Sequence, residues 1–455
     1  MLNVTQTGIS LRRRVLGAGF WSVSGFAISY PLRLGSSLVM TRLLAPEMFG
    51  VMSIAMLIMT SLAMLSDFGL RPSIIQSTRG DDPAFLNTGW ALQIIRGFVL
   101  WLIALLIAAL IIVAKNAGLV PVESVYADSY LPQVIAITSA SAIIDGFRST
   151  KLTQARRWLS LGRITQIQIA SQLIGLAFMI SWALIQRSLW ALVAGGLCAS
   201  LVTTVLTHIW LPGQSNRWHW DRSAAHEILH FGKWIFVSSL LGLVANNADR
   251  ALLAGFVDAT TLGIYSIAFT ICSMLTNLMY TIFKDVSFSA FSEVSREKPS
   301  ELKRVLYRFH LLTGSLAYFC AGALAGSGDA LIKLLYDPRY EQAGWMLEVL
   351  AIGLLSVPFS QAQYALLARG LPKLFTTIIA VRALMAIILI PLGFTLFGLV
   401  GGLGAVVASQ LSSVFVTAYY QYRFSLLNLQ NELFLLFVIF GGYLIGVSFS
   451  FAVGR

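Results

Sequence analysis

Three arginines stand inside stretches that are otherwise apolar: Arg33, Arg96 and Arg382. A guanidinium near the centre of a bilayer costs about 2.5–3.5 kcal/mol on insertion scales, so it persists only against water, a counter-ion or a ligand. Arg33 lies deepest in its run. Ser22, Ser29, Arg33 and Ser36 recur at helical spacing and share one face, and Pro31 lies two residues before the arginine. That stripe predicts a wet face turned toward a bundle interior. Arg96 and Arg382 lie about a third of the way into their runs, where snorkelling to the interface explains them as well as a cleft does. A guanidinium fork matches phosphate bidentately. No apolar run carries a cluster of carboxylates at mid-membrane depth, so the excess of buried arginine favours an anionic substrate.

The acidic candidates are fewer. Asp67 and Asp145 fall near cytoplasmic ends of predicted helices, where a cation-coupling site and a plain solvated carboxylate both stand open. Ser239, Gly242, Asn246 and Asp249 share one face of a later helix, and Asp249–Arg250 reads as a local ion pair. The five histidines show no metal-ligand spacing. Cys198, Cys272 and Cys320 sit apart in apolar runs without a CxxC pair and read as packing residues. GxxxxGK[ST], HExxH and GxSxG are all absent. Neither an enzyme active site nor a cofactor or metal is expected.

The elements that must carry these residues are membrane helices. The chain of 455 residues is 57% hydrophobic and 11% charged, against about a quarter charged in a soluble domain. A soluble core cannot hide so much apolar surface. Apolar runs place spans at 15–42, 47–70, 85–114, 129–149, 161–186, 189–211, 231–256, 259–283, 304–326, 343–368, 374–397, 399–422 and 432–452. The last is apolar enough to span, or lies partly in the interface. The run after Arg12, Arg13 and Arg14 is too long for a signal peptide and is expected to be retained. With the N-terminus inside, cytoplasmic loops hold about two thirds of the 32 lysines and arginines and outer loops about a fifth. Basic loops facing an anionic leaflet account for the net charge of +12 without any nucleic acid. No loop has room for a soluble catalytic domain. The 284–303 loop mixes charges with Phe288 and Phe291, which suits either a short amphipathic surface segment or a solvated connector.

The chain also repeats itself at an offset of 213 residues. GVMSIA at 50–55 matches GIYSIA at 263–268, Gly19 and Trp21 fall on Gly232 and Trp234, and Ala155-Arg156 falls on Ala368-Arg369. Arg33 falls on Asn246. Six spans separate the copies, so both run the same way, as in a parallel repeat with its axis along the membrane normal. The expected fold is an all-α polytopic membrane protein of two parallel six-helix bundles related by a pseudo-twofold axis, plus a C-terminal hydrophobic segment. Its parts are 1–211, a cytoplasmic linker 212–230, 231–422, and 423–455.

The run TRLLAPEMFGVMSIAMLIMTSLAMLSDFGL (41–70) resembles the first-to-second-helix signature of the Wzx-type oligosaccharide flippases, the polysaccharide-transporter family of the multidrug/oligosaccharidyl-lipid/polysaccharide exporter superfamily. DRALLAGFVDATTLGIYSIAF (249–269) resembles the matching seventh-to-eighth-helix signature, and LLARGLPK (366–373) is also similar. The resemblance implies a flippase of the bacterial inner membrane. It would move polyprenyl-pyrophosphate-linked oligosaccharide units from the cytoplasmic to the outer leaflet for exopolysaccharide, capsule or O-antigen assembly. It further implies alternating access around a cationic cavity, with membrane lipids, a polysaccharide polymerase and glycosyltransferases as partners. Arg33 best matches the cavity role, ahead of Arg96 and Arg382, with Ser29, Ser36 and Asn246 beside it. The family has twelve or fourteen spans, from which a count of thirteen departs. Two other readings stay open: a cation-coupled drug exporter of the same superfamily, which would use Asp67 or Asp145, and a non-transporting scaffold of a polysaccharide assembly complex.

Overall fold

The computed structural model describes residues 11–454 apart from 67–69, 71–73, 75–76, 78 and 159. The described residues are helical nearly throughout. In chain order the helices are α1 (Leu11–Leu43), α2 (Pro46–Leu65), α3 (Pro83–Asn116), α4 (Leu131–Thr138), α5 (Ala140–Gly146), α6 (Lys151–Arg157), α7 (Leu161–Ile185), α8 (Trp190–Ile209), α9 (Arg222–Leu253), α10 (Ala259–Glu297), α11 (Leu302–Leu335), α12 (Ala343–Ala351), α13 (Phe359–Ala368), α14 (Pro372–Arg423) and α15 (Leu429–Val453). Among the described residues nine helices are long and apolar enough to cross a membrane. The fold class is therefore that of an all-α polytopic membrane protein.

Helix ends follow local chemistry. Asp82 caps α3 by accepting a hydrogen bond from the Ala84 N–H, and Asp258 caps α10 by accepting from Thr261 N–H. The expected 129–149 span is two short helices, α4 and α5, which meet at Ser139. The hydroxyls of Ser139 and Ser141 donate to carbonyls three residues back and compete with the helical ladder there. The expected 343–368 span is broken likewise, by a 3-10 turn at Ile352–Ser356 ahead of Pro358. The runs 374–397 and 399–422 fold back on each other within α14, where Gly398 takes φ +60, a conformation that suits a residue without Cβ. One expectation is corrected: residues 284–297 are neither a surface segment nor a connector but the continuation of α10. At 39 residues and 1.5 Å per residue that helix is roughly 58 Å long, well beyond a hydrocarbon core of about 30 Å.

The chain divides into two compact units. Unit 1 comprises Met1–Leu44, Ile58–Ala117 and Ser129–Leu240; unit 2 comprises Ala45–Leu57, Gly118–Asp128 and Leu241–Arg455.

In unit 1, α7 packs between α1 and α8, and α3 packs on α4 and α5. Ile74, Phe85, Leu86, Leu92 and Ile228 form a buried apolar cluster below the start of α3. The segment 212–221 is pinned across that end. Asn216 accepts from the Ser149 hydroxyl, the Arg217 N–H donates to Asn87 Oδ1, and the Asp221 N–H donates to Thr88 Oγ1. Arg79 bridges Asp82 at 3.0 Å and Asp221 at 2.8 Å, and this guanidinium holds the Asp221 carboxyl down at about 2.

In unit 2, α15 lies along α11, the most extensive helix pairing among the described residues. The run 432–452 lies within one helix of 25 residues, long enough for roughly 37 Å. Small residues let the backbones touch. A Cβ placed on Gly322, Gly442 or Gly446 would overlap a carbonyl oxygen of the opposite helix. A second cluster of Phe291, Leu302, Leu306, Ala362, Ala365 and Leu426 closes the end of the unit where α11 begins.

Candidate functional site

A cavity of about 900 Å³ opens within unit 1 between α1, α6, α7 and α8. Its α1 wall carries the stripe read from the sequence. Ser29, Arg33 and Ser36 all line it, together with Tyr30 and Phe26. Arg33 is exposed into this space, and it forms no ion pair among the described residues. Ser36 does not reach outward; its hydroxyl donates back to the Arg33 carbonyl at 2.9 Å. The side chain of Ser22 lies outside the described residues.

The opposite wall is α7, whose Gln168, Ser171 and Gln172 face the cavity. Gln172 Nε2 donates to the Ser29 carbonyl at 3.2 Å, and Thr165 Oγ1 donates to the Trp21 carbonyl at 3.3 Å. These bonds span α1 and α7. Ser171 is buried and its Oγ has no hydrogen-bond partner among the described residues. Gly175 and Gly195 bring α7 and α8 into near backbone contact and keep that wall thin.

Two further arginines complete the lining: Arg148, just beyond α5, and Arg156 on α6. Arg148 Nη2 pairs with Asp145 Oδ1, which also accepts from the Ser200 hydroxyl. Among the described residues three guanidinium groups therefore line the cavity and no carboxylate does. A positive field in a partly desolvated cleft concentrates anions. Phosphate oxygens would meet forked donors there, with hydroxyls and amides alongside.

The other sequence candidates lie elsewhere. Arg96, in unit 1, donates from Nε to Ser66 Oγ at 2.8 Å and from Nη2 to the Ala63 carbonyl at 2.6 Å, tying α3 to the end of α2. Arg382 lies on α14 in unit 2, with its Nε buried and without a hydrogen-bond partner. Asn246, also in unit 2, is exposed and donates to the Gly242 carbonyl one turn back. Asp145 touches the cavity only through Arg148. Asp67 and the side chain of Ser239 lie outside the described residues. Asp249 is buried and accepts from the Tyr265 hydroxyl at 2.6 Å.

Sequence reasoning missed Arg148 and Arg156, which it counted as loop charges facing the cytoplasm. One signal pointed to Arg156: it belongs to the Ala-Arg pair repeated at 368–369. Among the described residues no group of three or more His, Cys, Asp or Glu is placed to hold a metal ion.

Comparison with known proteins bears on this architecture. A family model described as "Polysaccharide biosynthesis protein" matches residues 39–343, about two thirds of the chain. The lipopolysaccharide biosynthesis protein WzxC of Escherichia coli (strain K12) is 22% identical over 354 residues, which is 76% of this chain and 68% of that one. Among solved structures, the lipid II flippase MurJ in its inward closed conformation superposes with a TM-score of 0.63 at 15% identity, over 95% of this chain and 96% of that one. An inward-facing multidrug resistance MATE family transporter of the MOP superfamily gives a TM-score of 0.61 at 14% identity, over 87% and 94%. The fold is thus that of these solved structures, and the chain belongs to the polysaccharide biosynthesis protein family.

Proposed function

We propose that this protein is a flippase for polyprenyl-pyrophosphate-linked oligosaccharide, carrying it from the cytoplasmic to the outer leaflet for exopolysaccharide, capsule or O-antigen assembly. The observation that carries this reading is the cavity lined by Arg33, Arg148 and Arg156 and, among the described residues, by no carboxylate. Its volume is in the range of small-molecule sites, which suits a pyrophosphate and the first sugars while the polyprenyl tail stays in lipid. Family membership supports the polysaccharide context.

The transport cycle is alternating access by the two repeat-related bundles, residues 1–211 and 231–422. The bias of basic loops supports a cytoplasmic N-terminus in the inner membrane. A polymerase and glycosyltransferases are the partners such a pathway needs. The drug-exporter alternative is less well supported, because a cationic cavity repels cationic drugs and Asp145 is engaged by Arg148.

The test is reconstitution in liposomes with a fluorescent lipid-linked pyrophosphate oligosaccharide. The wild type should move it to the opposite leaflet, and Arg33→Ala should lose most of that rate. Equal inactivity of the two would remove the basis for the reading.

A further inference from the structure

The segment 212–221 joins α8 to α9 without helix, along one end of unit 1. Its backbone is held at intervals. Leu211, just before it, is buried. Asn216 accepts from the Ser149 hydroxyl at 2.7 Å and the Thr150 N–H at 3.2 Å, and it donates to Thr150 Oγ1 at 2.6 Å. The Arg217 and Asp221 N–H groups donate to Asn87 and Thr88, both buried in the first turns of α3. Between those two ties stand Trp218, His219 and Trp220. Trp218 is 63% exposed and Trp220 46%. Neither indole N–H has a hydrogen-bond partner among the described residues. A well-fixed backbone thus presents two large amphipathic rings outward.

On α8, Leu201, Val205 and Ile209 are exposed at four-residue spacing, and Trp210 follows. That helix is long and apolar enough to cross a membrane, so the stripe is a lipid-facing surface. It ends at Trp210, two residues before the segment begins. The carboxylates at this end are mostly paired: Asp82 and Asp221 with Arg79, and Asp81 with Arg157 at 3.5 Å. Glu227 accepts from the Ser77 hydroxyl, and Lys151 Nζ donates to the His208 carbonyl. Arg217 and Arg222 flank the tryptophans. Both are exposed, as are His219 and His226, and neither arginine forms an ion pair among the described residues. The charge beside the two rings is therefore positive.

We infer that residues 217–222 are a lipid-surface anchor: Trp218 and Trp220 enter the headgroup layer, and Arg217 and Arg222 engage the phosphates of anionic phospholipids. An indole has an apolar body and one N–H donor, so it is best placed where hydrocarbon meets water. A guanidinium fork beside it matches a phosphate, and the negative surface potential of an anionic membrane draws both arginines in. Because the backbone is already tied to α3 and to Ser149–Thr150, little ordering remains to be done on insertion. The occupant is the bilayer surface and not a partner protein, because the lipid-facing stripe of α8 runs up to the segment. One consequence follows for the cavity wall. Asn216 holds Ser149 and Thr150, which adjoin Arg148, so the anchor fixes the depth of that arginine relative to the headgroups.

Spin-label accessibility on the full chain tests this. A nitroxide is placed at His219→Cys, in a chain freed of its native cysteines, in vesicles of equal phosphatidylcholine and phosphatidylglycerol. A neutral nickel chelate is present on both sides of the membrane. Collisions with the chelate should be fewer, by about twofold or more, than in the same chain carrying Trp218→Ala and Trp220→Ala, because the indoles hold the label in the headgroup layer. Both rings are exposed, so the double variant should unfold in detergent at the wild-type temperature. If it does not fold, Trp218→Ala alone should raise the collision rate. In vesicles of phosphatidylcholine alone the intact segment should be more accessible, and Arg217→Gln with Arg222→Gln should remove that dependence on composition. Equal collision rates with and without the tryptophans overturn the anchor, as they would if the rings await a partner protein. A rate indifferent to phosphatidylglycerol overturns the role of the arginines. The inference rests on the membrane fold alone, so its failure leaves the flippase reading to the flipping assay.

Discussion

Gly50 and Gly263, 213 residues apart, are buried against the start of each other's helix. A Cβ on Gly50 would overlap the Ala259 carbonyl, and one on Gly263 would overlap the Pro46 carbonyl. Pro46 and Ala259 are themselves 213 apart, as are Glu47 and Thr260, which are joined by a 3.1 Å hydrogen bond. Residues related by the repeat thus contact one another reciprocally, as in an isologous interface. The second helix of one copy and the matching helix of the other meet through their first turns.

This contact predicts that Gly50→Ala and Gly263→Ala each destabilise the protein, by about 1–3 kcal/mol as overpacking does. The double variant should cost less than the sum, because either change already opens the shared interface. Thermal unfolding in detergent measures both. Full additivity would mean that the two glycines are not in one contact.

Arg33 and Arg96 should separate cleanly. Arg33→Ala should weaken binding of a diphosphate-bearing headgroup by about tenfold or more, since a hydrogen bond to a charged group is worth about 1.5–3 kcal/mol. Arg33→Lys should fall between, because it keeps the charge and loses the fork. Arg96→Ala should leave affinity unchanged and lower the unfolding temperature, because its guanidinium bonds Ser66 and the Ala63 carbonyl. Calorimetric titration alongside unfolding would refute the division if Arg96→Ala bound as poorly as Arg33→Ala.

The Arg79–Asp221 bridge gives a pH signature. Asp221 is held at about 2, below the usual carboxylate range, mainly by the Arg79 hydrogen bond. Its stabilising effect is complete above the ordinary carboxylate pKa, near pH 4, and is lost as pH falls through about 2. Asp221→Asn should therefore lower the unfolding temperature at neutral pH and converge with wild type toward pH 2. Because the pair is exposed, added salt should shrink the difference. A gap constant down to pH 2 would exclude the bridge as its cause.

The seating of α15 on α11 predicts that Gly442→Leu, at a position facing the Phe319 carbonyl, prevents close approach of the two helices. Limited proteolysis should then release the C-terminal segment at a concentration of protease that leaves wild type intact. Equal resistance would show that the pairing does not depend on that glycine.

The proposed orientation can be read by cysteine labelling in a chain freed of Cys198, Cys272 and Cys320. A membrane-impermeant maleimide applied to intact cells with a permeabilised outer membrane should label Val122→Cys, and label Ser215→Cys only after the inner membrane is opened. Both native positions are exposed. The reverse pattern would invert the topology.

The sequence by itself determined the membrane class, the approximate place of every apolar run, the 213-residue repeat and the polar stripe through Ser29, Arg33 and Ser36. Those features are local or periodic: composition, run length and a spacing of three or four residues suffice to state them. It also exposed the family, through signatures that lie along the same helices. Only the tertiary structure decided which arginines share a space with Arg33. Arg148 and Arg156 are more than a hundred residues away and read as ordinary loop cations until α6, α7 and α8 bring them to α1. Arg96 shows the converse, an arginine in an apolar run whose guanidinium donates to Ser66 Oγ and the Ala63 carbonyl at the end of α2. The meeting of His310 with Glu432 across 122 residues likewise depends on a contact between helices. Hydrophobic periodicity fixes which face of a helix is buried, but not which other helix it is buried against, and that second choice made the site.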